Sequence, residues 1–182
     1  MSRRALVSIL LAATIPLVLD ARLLGSSTHF HWGTATIDGV NDPLEWQGAE
    51  YGQATLTLPA ALGGGSTEVT FLVMNDADYV YAALQFPYPS SPAAPAFLDF
   101  GIQFWADGTT PCNPTTPLDV VQLVSQSDFA DFRDEQWPQC TTVVSDNFAG
   151  GSSYGTGGWG DEGATLFFEL SHTIESNDDD HD

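Results

Sequence analysis

The sequence predicts an all-β fold, an antiparallel two-sheet β-sandwich, and three observations predict it. A hairpin pattern sits at the middle of the chain, Glu68 to Phe86, where two apolar runs flank the turn cluster Asn75-Asp76-Ala77-Asp78. Both faces of that hairpin are apolar, since Val69, Phe71 and Val73 alternate with Thr70, Leu72 and Met74, so it requires cover on both sides. Further short β-type runs, separated by Gly- and Pro-rich turns, precede and follow it.

The 182 residues suffice for one well-cored domain. The first segment stands apart from it. Met1 to Arg4 is basic, and Ala5 to Leu19 is an apolar run too short and wrongly flanked to span a membrane as a helix, so residues 1–21 read as a secretory signal. Residues 22–33 read as a linker, leaving 34–182 as the folded domain. His29 and His31 share one face of an extended segment, with no third metal ligand near them.

The formal charge is −20, with 4 arginines and no lysine. Loss of residues 1–21 leaves Arg22 and Arg133 as the remaining strong cations. Such a surface repels phosphate backbones and anionic lipid heads, which disfavours nucleic acid and membrane surfaces as partners. It attracts cations, either as a solvated acidic shell or as sites for divalent metal. Cys112 and Cys140 are the only 2 cysteines, and in an exported chain they predict one disulfide. The loop of about 29 residues that they close stabilises the fold by roughly 3 to 4 kcal/mol in the chain-entropy account.

In chain order, Thr34 to Ile37 predicts a short strand that ends in the turn dipeptide Asp38-Gly39. Asp42-Pro43-Leu44-Glu45-Trp46 has proline at a helix-start position and predicts one helical turn with Trp46 tucked into the core. Gln53 to Leu58 alternates as a half-buried strand. Four prolines between Pro87 and Pro95 rule out strand or helix interior there. Phe97 to Ala106 and Leu118 to Ser125 are further strands, Phe129 to Trp137 is a charged, aromatic segment of undetermined form, and Thr141 to Ser145 alternates as a strand. Gly150 to Gly163 holds seven glycines and reads as a mobile loop carrying Tyr154 and Trp159; it lacks the lysine and the strand-turn-helix context of a phosphate loop. Ala164 to Leu170 is the last clear strand.

Ile37-Asp38-Gly39 with Asp42 and Trp46, followed by Asn75-Asp76 and Tyr79-Val80-Tyr81, resembles the signatures of the ninth family of carbohydrate-binding modules and of related DOMON sandwiches. Phe168-Glu169-Leu170-Ser171-His172-Thr173-Ile174-Glu175-Ser176, ahead of an acidic cluster, looks like an element of other secreted members, with Thr173 where proline is usual. The resemblance covers roughly residues 34 to 182 and implies a jelly-roll or immunoglobulin-like sandwich. Such members continue beyond the acidic cluster, so the expectation is a domain lacking its last strand or strands, with an unpaired edge.

Three binding chemistries follow. A secreted, non-catalytic carbohydrate-binding module stacks sugar rings on aromatic faces and fixes hydroxyls with carboxylates and amides. Trp137, Trp159, Tyr154 and Trp105, with Asp107 beside them, are the candidates for this role, although Trp105 lies within an apolar strand and equally suits the core. The DOMON resemblance implies an alternative, b-type haem held for electron transfer between Met74 and His172. Against it, a methionine in an apolar strand is ordinary core packing. Structural calcium is compatible with either; Asp178, Asp179, Asp180 and Asp182 supply oxygens densely, without the spacing of a calcium loop, and such a run also suits a solvated chain end. Nothing recommends an enzyme: carboxylate pairs carry no information in so acidic a chain, and no nucleophile stands in a catalytic context. The expected partner is extracellular polysaccharide or oligosaccharide.

Overall fold

The computed structural model describes residues 3–13, 15–21, 31–57, 65–87, 98–106, 118–126, 129–137, 144–145, 154–163 and 165–174, with the backbone alone for many residues of the first, seventh, eighth and ninth strands. The described residues are all-β, without a helix. The strands are β1 (Arg3–Ala13), β2 (Ile15–Ala21), β3 (His31–Trp32), β4 (Glu50–Thr57), β5 (Ser66–Asn75), β6 (Tyr79–Pro87), β7 (Leu98–Ala106), β8 (Leu118–Gln126), β9 (Phe129–Trp137), β10 (Val144–Ser145), β11 (Gly155–Asp161) and β12 (Thr165–Thr173).

They form two hydrogen-bonded sheets. One runs β10-β9-β8-β7-β1-β2; the other runs β11-β12-β6-β5-β3, with β4 also on β5. The central hairpin forms as the sequence predicts: β5 and β6 pair antiparallel with Asn75 opposite Val80, closing on the Asn75 to Asp78 cluster. Asp76 caps this turn, accepting from the backbone N–H groups of Asp78 and Tyr79 through Oδ1, each at 2.8 Å.

The second sheet is covered on both faces, which explains the unbroken apolar runs of β6 and β12. On one face Val80, Ala82 and Leu84 of β6 sit beside Leu166, Phe168 and Leu170 of β12, all buried. The other face carries Met74, Tyr81, Ala83 and Phe167, and there the segment 33–49 lies across the sheet, packing Ala35 and Trp46 against them. Because strand neighbours alternate, one register cannot bury both sets unless both faces have cover.

Four expectations are corrected. The sheet is mixed rather than purely antiparallel, because β3 pairs parallel with β5, His31 opposite Met74. That strand uses the last residues of the expected linker, and residues 34–37 have no regular structure. The expected helical turn is instead a run of hydrogen-bonded turns over residues 43–48, with Glu45 N–H and Trp46 N–H both donating to Asp42 O, yet it delivers Trp46 to the core as anticipated. Within the glycine-rich stretch Gly155–Asp161 is a strand, β11, paired along its whole length with β12, while residues 150–153 lie outside the described residues.

The glycines of β11 are required by close approach. An added Cβ at Gly160 would lie 2.2 Å from the Gly39 carbonyl oxygen, and one at Gly158 would lie 2.9 Å from the Gly39 nitrogen. Gly155 and Gly157, on the alternate face, meet Phe132 of β9 and Leu123 of β8 just as closely. At these four positions of β11 a side chain would meet the Asp38-Gly39 turn on one face and Leu123 or Phe132 on the other.

The N-terminal apolar run also pairs. β1 lies antiparallel to β7, from Arg3 opposite Ala106 to Leu10 opposite Asp99, and β2 folds back on β1. The backbone of β1 fills the ladder that β7 otherwise presents at an edge.

Candidate functional site

Glu169 organises one side of the site from beneath. It lies on β12 with 0% exposure. Its Oε2 accepts the N–H groups of Gly39 at 2.7 Å and Asp38 at 3.1 Å, and its Oε1 accepts the indole N–H of Trp46 at 3.0 Å. Burial raises its pKa above the ordinary carboxylate value, and the three donated hydrogen bonds oppose that rise. The motif residues Asp38, Gly39, Trp46 and Glu169 are therefore a clasp that fastens the segment 33–49 onto the sheet. Trp46 completes it by meeting Phe167 edge to face, centroids 6.4 Å apart.

Beside the clasp opens a groove of about 400 Å³. Three tyrosines line it: Tyr79 and Tyr81 from the start of β6, and Tyr154 from the entry to β11. Thr156, Ser171 and Thr173 add hydroxyls, and Ala35 and Ile37 from the overlying segment form an apolar wall. Tyr79 and Tyr154 are 38% and 37% exposed, so each offers part of a ring to solvent. The Tyr79 and Tyr81 rings stand 6.1 Å apart at 42°.

Tyr81 is held by Asp76. The phenol O–H donates to Asp76 Oδ2 at 2.6 Å, and the Thr34 hydroxyl donates to the same oxygen at 3.1 Å. Burial would raise the Asp76 pKa, but hydrogen bonds from Tyr81, Asp78, Tyr79 and Thr34 outweigh it and hold the carboxyl below its ordinary value, ionised. Burial, the hydrogen bond and the Asp76 charge together push the Tyr81 phenol far above its usual range. Tyr81 therefore stays neutral with its proton committed to Asp76.

Tyr154 is positioned from the opposite face. Its backbone N–H donates to Asp134 Oδ2 of β9 at 2.9 Å, and the same oxygen lies 3.4 Å from His172 Nε2. Its carbonyl accepts from Thr173 N–H at 3.3 Å. Thr173 also lines the groove, and its Oγ1 is buried with no hydrogen-bond partner among the described residues, a condition that native proteins seldom leave unexplained.

Of the residues singled out from sequence, Tyr154 lines the groove. Trp159 stacks instead on Phe168 at 6.4 Å and 22°, away from it. Trp105 ends β7 close to its last residue and Trp137 ends β9 opposite Leu118, but their side chains lie outside the described residues. Asp107, Cys112, Cys140, Asp178, Asp179, Asp180 and Asp182 also lie outside them. Among the described residues, no group of three His, Cys, Asp or Glu is gathered as a metal site.

The structure does not bring Met74 and His172 together. Met74 pairs with Tyr81, and Tyr81 with Ser171, so these three share one face; His172 pairs with Val80, and Val80 with Asn75, on the other. Met74 is 1% exposed, with its sulfur pressed close to Gly33. The pair does not fit the two axial positions of one haem, which must approach a single iron from opposite sides of the same pocket.

Tyr79 and Tyr81 carry the groove without having been chosen as ligands from sequence. The signal was present, for two aromatics at i and i+2 after a turn share one strand face. No protein-family model, curated protein or solved structure matches this chain.

Proposed function

We propose that this chain is a secreted, non-catalytic β-sandwich module that binds extracellular carbohydrate in the groove of Tyr79, Tyr81 and Tyr154. The single observation that carries the reading is the composition of that groove: three phenol rings, two of them partly exposed, set among three small hydroxyl side chains. Sugar rings present apolar C–H faces, which rest on aromatic faces, and an equatorial fringe of hydroxyls, which such side chains satisfy. The resemblance to carbohydrate-binding modules points the same way.

The two sheets stack in this reading, with β8 and β9 against the Val80, Leu84 and Phe168 face. The closeness of Leu123 and Phe132 to β11, and of Asp134 to His172, supports that arrangement. Export removes residues 1–21, after which β7 is the open edge of its sheet.

The test is isothermal titration calorimetry of the chain lacking residues 1–21 against a panel of plant, fungal and bacterial oligosaccharides. At least one binds, and Tyr154→Ala weakens it about tenfold or more, the range expected for loss of a stacking ring. Failure of every oligosaccharide, or binding that ignores Tyr154→Ala and Tyr79→Ala alike, overturns the reading.

A further inference from the structure

We infer that the groove selects amino sugars in their protonated form over neutral and acidic sugars; this rests on the carbohydrate reading and names the ligand class within it. Three features of the groove converge on a cation. First, three tyrosine rings border one space, and the faces of aromatic rings attract a positive charge within about 6 Å of their centroids. Second, the Asp76 carboxylate stands one hydroxyl behind Tyr81, at 2.6 Å from its oxygen. The groove wall at Tyr81 is thus backed by a fixed negative charge, which attracts a cation and repels an anion. Third, among the described residues no Lys, Arg or His lines the groove, so a uronic acid meets no counter-charge from them.

The rest of the molecule acts in the same direction. The formal charge of −20 draws cations toward every cleft and raises the rate at which a cationic ligand arrives. The Asp76 hairpin turn is itself braced by hydrogen bonds from Asp78 and Tyr79, and Ile174 N–H fastens it to the end of β12 through Asp78 O. The charge is consequently fixed in place before a ligand arrives, and little ordering is left for binding to impose.

The experiment compares three trisaccharides of one size at about pH 5.5, where both the amine and Asp76 are ionised: β-1,4-linked glucosamine, its N-acetylated counterpart, and cellotriose, with a triuronate as the anionic control. The glucosamine trimer should bind about tenfold more tightly than either neutral trimer, and the triuronate should not bind. Raising salt from about 0.05 M to about 0.5 M should erase most of that preference while leaving neutral binding unchanged. Asp76→Asn should narrow the preference to about twofold; should that variant fold poorly, Tyr81→Phe, which removes the hydroxyl linking the groove to Asp76 and keeps the ring, should narrow it also. Equal binding of glucosamine and neutral trimers, or a salt-insensitive preference, overturns this inference and leaves the carbohydrate reading standing. Binding of none of the sugars overturns both.

Discussion

The indole N–H of Trp46 and the carboxylate Oε1 of Glu169 lie 3.0 Å apart and 123 positions apart in sequence, both buried. With the Asp38 and Gly39 amides on the other oxygen, Glu169 binds three donors from a segment with no regular structure of its own. A buried carboxylate of this kind is costly alone and stabilising only while its donors stay in place. The groove wall formed by Ala35 and Ile37 therefore depends on it.

Replacing Glu169 by Gln turns one acceptor oxygen into a donor that faces either the backbone amides or the indole. Urea unfolding should show a loss of about 1 to 3 kcal/mol. Trp46→Phe strands one carboxylate oxygen and should cost about 1 to 2 kcal/mol, while Trp46→Ala also opens a cavity and should cost about 3 to 5 kcal/mol. Glu169→Gln and Trp46→Phe should be clearly non-additive in a double-mutant cycle.

The two perturbed carboxylates act on opposite sides of the pH profile. Asp76 has a folded pKa below its ordinary value of 3.8, so its contribution is present above that value and is lost as pH falls through the lower folded value. Glu169 has a folded pKa above its ordinary value of 4.5, so its contribution is complete below 4.5 and is lost as pH rises through the folded value. Urea midpoints measured from about pH 2.5 to about pH 7 should lose their acid-side fall in Asp76→Asn and part of the decline above 4.5 in Glu169→Gln.

The glycines sort into two classes by what surrounds them. Gly160→Ala brings a methyl to 2.2 Å from the Gly39 carbonyl, backbone against backbone, and should cost about 3 kcal/mol. Gly65→Ala meets nothing within 4 Å and suffers only from its φ of +84°, so about 1 kcal/mol is expected. Thermal unfolding of the two variants side by side checks the difference; equal shifts would mean that β11 does not lie beneath the Asp38-Gly39 turn.

Leu118 and Trp137 face each other at one end of the β8–β9 pair, and Cys112 and Cys140 lie six residues before the one and three after the other. That register suits the disulfide proposed from the cysteine count. Thiol titration of the unfolded, unreduced chain should find no free cysteine, and reduction should lower stability by roughly 3 to 4 kcal/mol.

How much was legible depended on whether a residue's role was local. The hairpin about Asn75 to Asp78 could be read because turn chemistry and apolar runs agree within twenty residues. Trp46 could be placed in the core, but its partner could not, since nothing near Glu169 in sequence indicates an indole. The stretch from Gly155 to Asp161 was misread as a loop because glycine weakens a strand on local grounds; the reason for glycine lies in the backbone of Gly39, far away in sequence. Tyr154 was visible as an exposed loop-end aromatic. Tyr79 and Tyr81 were visible as a pattern, but the groove exists only where β6, β11 and the segment 33–49 meet.

The most direct measurement is a nitrogen-15 NMR titration of the chain lacking residues 1–21 with glucosamine trisaccharide. The account predicts saturable shifts concentrated at the amides of Tyr79, Tyr81, Tyr154, Thr156 and Ser171. Shifts centred on the exposed Trp32 and Tyr51, on the β3 and β4 edge of the sheet, or no shifts at millimolar sugar, would contradict it.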